Sequence, residues 1–206
     1  MAPTKRRETK PPRARLDVDE RRAQLLALGL DLFSERAYDA ISIDEIALAA
    51  GISKGLLYHY FPTKRDFYAA AIREASRQLL DCTRPDESAP PIERMRRGLD
   101  AYLAFVERRG PAYSALMRGG IGSDPAVAGI VQETRDRFLE RLIENVPATE
   151  IAPALRATLR GWIGFVEAAS LDWVERREMG REALRDLCSE VLIESIAVAM
   201  RRTSTR

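Results

Sequence analysis

Two short helical signatures meet at Gly51, and nothing else in the chain constrains its fold as tightly. Ser42-Ile43-Asp44-Glu45 puts a serine at an N-cap with a glutamate three residues on, the reciprocal pattern that opens a helix. Ile43, Ile46, Ala47 and Ala50 then share one face, and Gly51 closes the run where a positive φ is cheap only for glycine. Ser53 can cap a second helix, which Pro62 stops. Helices of about two turns are marginal alone. Residues 43–61 must therefore be held by packing, with Ile52, Leu57 and Phe61 turned inward.

That assignment leaves Ser53, Lys54, Gly55, Leu56, Tyr58, His59 and Tyr60 facing outward. An outward surface seldom needs two tyrosines and a leucine together, whereas a helix-turn-helix presented to DNA uses donors and aromatics of this kind. Ser42 and Ser53 sit at helix N-termini, where backbone N–H groups and the dipole favour a phosphate. Gly55 lets the backbone approach a duplex, and Lys54 reaches a base edge or a phosphate. Tyr58 and Tyr60 offer a hydroxyl to phosphate and a flat face to sugar or a thymine methyl. Lys64, at the start of the next helix, adds a point charge for the same backbone. Most such contacts position a protein on DNA, and few specify sequence.

Residues 42–67, S-I-D-E-I-A-L-A-A-G-I-S-K-G-L-L-Y-H-Y-F-P-T-K-R-D-F, resemble the helix-turn-helix signature of the TetR family of transcriptional regulators, and the likeness extends over roughly residues 18–82. The resemblance implies a helix of Ser53 to Tyr60 in the major groove. It implies phosphate contacts for Ser42, Tyr58, Tyr60 and Lys64, and base-facing positions for Lys54, Gly55, Leu56 and His59. Many members carry a hydroxyl residue where Leu56 stands, so here an apolar reading of a thymine methyl replaces one polar contact.

The rest of the chain is expected to be all-α. A helix should begin near Asp17 or Asp19 and carry Leu25, Leu28, Leu32 and Phe33 inward. Thr63 to Asp66 caps a fourth helix that runs to about Cys82. Arg84 to Pro91 is a polar, proline-rich break. Beyond it, helices are predicted over Ile92 to Arg109, Pro111 to Met117, Asp124 to about Val146, Ile151 to Arg177 and Arg181 to Arg202, with a loop at Gly119 to Ser123. No stretch alternates in the manner of a strand. Three units follow: a basic arm over 1–16, a DNA-binding domain over 17–82, and a helical domain over 83–206.

Charge and composition narrow the partners. The net charge of the 206 residues is only +2, yet residues 1–16 hold Lys5, Arg6, Arg7, Lys10, Arg13 and Arg15 against the single acid Glu8. The arm either trails in solvent or follows the minor groove. Cys82 and Cys188 are too few and too far apart for a disulfide framework or a zinc site, and His59 alone cannot hold a metal. The chain shows no apolar leader and no uncharged apolar run of about 20 residues, so a cytoplasmic protein away from membranes is expected. No nucleophile context, metal cluster or cofactor fingerprint suggests an enzyme; neither metal nor cofactor is expected.

In the larger unit, the resemblance implies dimerisation and a ligand pocket. Tyr102, Phe105, Tyr113, Met117, Phe138, Trp162, Phe165 and Trp173 fall at core-type positions on five predicted helices. They fill an ordinary core or line a cavity, for which Asn145, Glu167, Arg118 and Ser170 are the polar candidates. Glu167 is equally a solvated or interface charge. Gly161, Gly164, Ala168 and Ala169 permit close helix approach. Leu184, Leu187, Val191, Ile193, Ile196 and Val198 make the last helix apolar on more than one side, which asks for a second partner. The dimer surface is therefore expected at Gly164, Ala168, Leu187, Val191, Glu194 and Val198. The partners so implied are a double-stranded DNA operator, a small effector and a second copy of the chain. An architectural DNA binder without effector is the competing reading.

Overall fold

The computed structural model describes residues 18–118, 124–146 and 152–203. The basic arm, a helix start at Asp17, the glycine loop after Arg118 and a helix start at Ile151 lie outside the described residues. Among those described there are nine α-helices and no strand. They are α1 (Val18–Glu35), α2 (Ile43–Ala49), α3 (Lys54–Tyr60), α4 (Lys64–Cys82), α5 (Pro91–Arg108), α6 (Gly110–Met117), α7 (Pro125–Glu144), α8 (Pro153–Arg176) and α9 (Arg181–Thr203), with a 3-10 turn at Tyr38–Ala40. Among the described residues no helix is long and apolar enough to cross a membrane.

Two hydrophobic cores organise the helices. The first gathers α1, α2, α3 and the first half of α4 around Phe67, which is fully buried. The stripe that α1 buries is Leu25, Leu26, Gly29, Leu30 and Phe33, while Leu28 and Leu32 are only half-buried. This differs from the periodic expectation because α1 is packed from several sides, by α2, α4 and α6, so its buried arc is turned. Aromatic rings finish this core: Phe33 meets Tyr68 edge-on at 4.8 Å, and Phe61 meets Phe67 at 5.0 Å.

The second core joins α5, α7, α8 and α9 around Leu103, Leu159, Leu184 and Cys188. Burial of the Cys188 thiol pushes its pKa up to about 11, which keeps it protonated near neutrality. The buried indole of Trp162 donates to the Cys188 carbonyl at 2.9 Å, and that of Trp173 to the Met179 carbonyl at 2.8 Å. The first bond pins α8 against α9, and the second ties α8 to the turn that leads into α9.

The cores do not divide cleanly at residue 82. Val127 and Ile130, from the first turns of α7, are buried in the first core, while Leu139 of the same helix is buried in the second. One helix therefore belongs to both.

Candidate nucleic-acid interface and cavity

Local chemistry builds the reading surface as its sequence predicts. The Glu45 amide donates to Ser42 Oγ at 3.1 Å, and the Ser42 amide donates to Glu45 Oε2 at 2.7 Å. Arg36 also donates to Glu45, at 2.9 Å. The Ser42 backbone bond, then Arg36, holds the Glu45 carboxyl down at about 2. Gly51 turns the chain at φ +62°. Ser53 Oγ then accepts from the Leu56 amide at 3.1 Å and caps α3. Leu57 and Phe61 are buried beneath, and each contributes roughly 1.5–3 kcal/mol of burial energy to hold the short helix.

Above that base, Ser53, Lys54, Gly55, Leu56, Tyr58 and His59 are exposed. A Cβ at Gly55 would meet nothing within 4 Å, so the α3 backbone is open to close approach there. Leu56 and Tyr58 are each 39% exposed, as apolar and phenolic contact surface. Tyr60 departs from the outward expectation: it is half-buried and packs on the first core. It follows Leu57 by three residues, which returns it to the inner side.

The two lysines are already engaged. Lys54 Nζ lies 3.0 Å from the Asp44 carboxylate, whose hydrogen bond raises the lysine pKa. Lys64 Nζ sits 4.1 Å above the ring of Tyr38. Sequence reasoning missed Tyr38, which stacks on Phe33 and meets Tyr68 edge-on. No local pattern marks it, since its partners come from α1 and α4.

A half-open cavity of about 380 Å³ lies between α4 and the helices of the larger unit. Tyr102, Phe105, Tyr113, Met117, Phe138, Trp162 and Glu167 line it, as do Leu99, Val166 and Ile196. Phe165 does not line it and instead packs, half-buried, against the second core. Arg118 also lies away from the lining, paired with Glu175, and Ser170 is buried outside it. Asn145 does line it.

Glu167 is partly buried and lines the cavity, paired with Arg135. Arg135 Nε donates to its two carboxylate oxygens at 2.9 and 3.1 Å. The Tyr113 hydroxyl donates to the Glu167 carbonyl at 3.2 Å and lies 2.9 Å from the Tyr102 hydroxyl. Burial drives both phenols well above their ordinary pKa, so they remain neutral donors. The arginines of the lining, Arg94, Arg135 and Arg141, carried no sequence signal; each is one more cation on a charged helix.

On the outside, Gly161, Gly164 and Ala168 of α8 are exposed, and a Cβ at either glycine would meet nothing within 4 Å. Leu187, Glu194 and Val198 of α9 are exposed beside them, with Val191 half-buried. The inner side of α9 serves the chain itself: Leu184 is buried in its core, and Ile193 and Ile196 line the cavity.

Comparison with known proteins agrees with both halves. Residues 25–71 match the family described as bacterial regulatory proteins, tetR family, and residues 91–194 match the tetracyclin repressor-like C-terminal domain. The transcriptional regulator AcuR of Cereibacter sphaeroides is 36% identical over 179 residues, covering 78% of this chain and 81% of that protein. The HTH-type transcriptional activator FasR of Mycolicibacterium smegmatis is 29% identical over 160 residues, 77% of this chain and 72% of that one. A crystal structure of a tetR-family transcriptional regulator from Streptomyces coelicolor superposes with a TM-score of 0.85 at 37% identity, covering 91% of this chain and 85% of that chain. The chain belongs to the TetR family of transcriptional regulators, which act by binding DNA and not as enzymes.

Proposed function

We propose that the protein is a homodimeric repressor that reads a pseudo-palindromic operator and leaves it when a small, largely apolar effector fills the cavity. The observation that carries this reading is the pairing of an exposed, capped α3 with an apolar cavity whose walls include α4, the helix that begins at Lys64. Ser42, Ser53, Tyr58, Tyr60 and Lys64 hold phosphates, while Lys54, Gly55, Leu56 and His59 face the bases. Gly164, Ala168, Leu187, Val191, Glu194 and Val198 form the isologous interface, in which the open stripe of α8 accepts the exposed side chains of α9. Residues 17–82 act as the reading unit and 83–206 as the effector and dimer unit. The effector acts only through its preference for one of two head spacings, with α4 as the lever.

Selection from a random duplex pool tests this. An inverted repeat with half-site centres about 34–36 Å apart, or a multiple of one turn, is expected. A pool without an enriched motif would favour the architectural reading. A monomer by analytical ultracentrifugation at micromolar concentration would remove the symmetric dimer.

A further inference from the structure

Polar groups are unevenly placed along the cavity. Its middle carries a self-satisfied set, Tyr102, Tyr113 and the Arg135–Glu167 pair, with no net charge left over. The far end differs. There the end of α4, the start of α5 and the end of α7 converge, and Arg94 and Arg141 join the lining with Thr83 and Asn145.

Neither arginine has a carboxylate within ion-pair distance among the described residues. The Arg94 Nε is buried and has no hydrogen-bond partner there. Arg141 donates to Thr83 Oγ1 at 3.2 Å, a neutral acceptor, and its guanidinium lies 5.9 Å from the Phe138 ring. Of the nearby acids, Asp86 is held by Arg97 at 3.1 Å and Asp81 by Arg77 at 2.8 Å, while Glu144 stays beyond ion-pair distance of Arg141. Burial, then the charge of Arg84, pushes the Arg141 pKa down, against the weaker pull of Asp81 and Glu144. Two cations thus face the same end of the cavity with no carboxylate at ion-pair distance from either, and the Arg94 Nε keeps an unmet donor. The first turn of α5, Pro91 and Ile92, forms the adjoining wall, and its helix dipole favours negative charge at the same end.

Shape supplies the second half of the argument. Along α7 the lining runs from Val131 to Asn145, roughly 21 Å of helix, and the wall between is mainly apolar. A slot of that form suits a chain and not a compact ring.

Resting on the effector reading above, we propose that the ligand is an elongated amphiphile with an anionic head. The head, a carboxylate or a phosphate, lies between Arg94 and Arg141, and the hydrocarbon runs along α7 towards Tyr113. Arginine forks suit both head chemistries.

Calorimetric titration of the full-length protein separates the possibilities, using dodecanoate, dodecyl phosphate, dodecanoyl-CoA and 1-dodecanol below their micellar concentrations. At least one anion should bind tenfold or more tightly than the alcohol, and the tightest anion identifies the head. Arg94→Met and Arg141→Met keep an apolar stem of similar length. Each should weaken that anion by about ten- to a hundredfold and leave the alcohol within a few-fold. Equal binding of alcohol and anions would overturn the anionic head while leaving the effector cavity intact. An anion preference that survives both substitutions would also overturn it, because the head would lie elsewhere. If no chain compound binds, the effector reading for chain-like ligands falls along with the head assignment. The comparison of anion with alcohol on the parent protein stands even if a variant fails to fold.

Discussion

Lys54 and Lys64 supply the cations of the reading surface, and the folded chain gives them different duties. Lys54 shares its charge with Asp44, on an exposed pair worth little to stability. On DNA, Asp44 would be a like charge beside the phosphates, so the pair must open or tilt for Lys54 to reach a base. Lys64 is instead steadied over Tyr38, which fixes its direction without neutralising it. Lys64→Ala should weaken binding to all duplexes alike and lower the slope of log K against log salt by about 1. Lys54→Ala should reorder preference among operator variants, and Asp44→Asn should strengthen binding several-fold on every sequence. Fluorescence anisotropy over a salt series reads all three; an unchanged slope for Lys64→Ala would remove its phosphate contact. The caps at Ser42 and Ser53 were legible in sequence because capping is decided within four residues. Tyr38 and the Asp44–Lys54 pair were not, because each depends on how separate elements meet.

At the scale of the element, the crossing of α1 and α4 turns on a missing side chain. A Cβ on Gly29 would lie 2.7 Å from Cζ of Phe67, which is fully buried. Gly29→Ala gains up to about 1 kcal/mol of helix propensity but overpacks the core at a cost of about 1–3 kcal/mol. The net expectation is a loss of about 1 kcal/mol, or 2–4 °C in Tm for a chain of this size. Thermal unfolding followed by circular dichroism checks it, and a variant as stable as the parent would show that Phe67 can shift. Periodicity foretold that α1 has a buried face but set it at Leu25, Leu28, Leu32 and Phe33. Leu26, Gly29 and Leu30 are buried instead of Leu28 and Leu32, because neighbours flank α1 on more than one side and a single-face pattern cannot report that. The same limit explains the cavity. Aromatic positions in the larger unit were readable, yet whether a ring lines a void or packs solidly, as Phe165 does, depends on partners distant in the chain.

For the whole molecule, the two cores are linked through α7 as well as through α4. Asp124 caps α7 by accepting from the Ala126 amide at 2.9 Å, and its carboxylate also takes both Nε and Nη2 of Arg65, the residue after Lys64. Farther along the same helix, Val131, Thr134, Arg135 and Phe138 face the cavity. Anything that displaces the middle of α7 therefore acts on the first turn of α4, beside Lys64, the lysine proposed to hold a phosphate. The Arg65 hydrogen bond holds the Asp124 carboxyl below its ordinary pKa. A depressed carboxylate contributes its stability above its unfolded pKa and loses it as pH falls through the folded one, so this link is fully present near neutrality. Asp124→Asn keeps a residue that caps well and removes only the charge. Hydrogen exchange should then speed up several-fold at the first turn of α4, including the Phe67 amide that donates to the Thr63 carbonyl, while the α8–α9 pair keeps its protection. A compound seated in the cavity should also weaken operator binding less in this variant than in the parent. Unchanged protection in α4 would mean that α7 merely packs on the reading unit, leaving α4 as the sole lever.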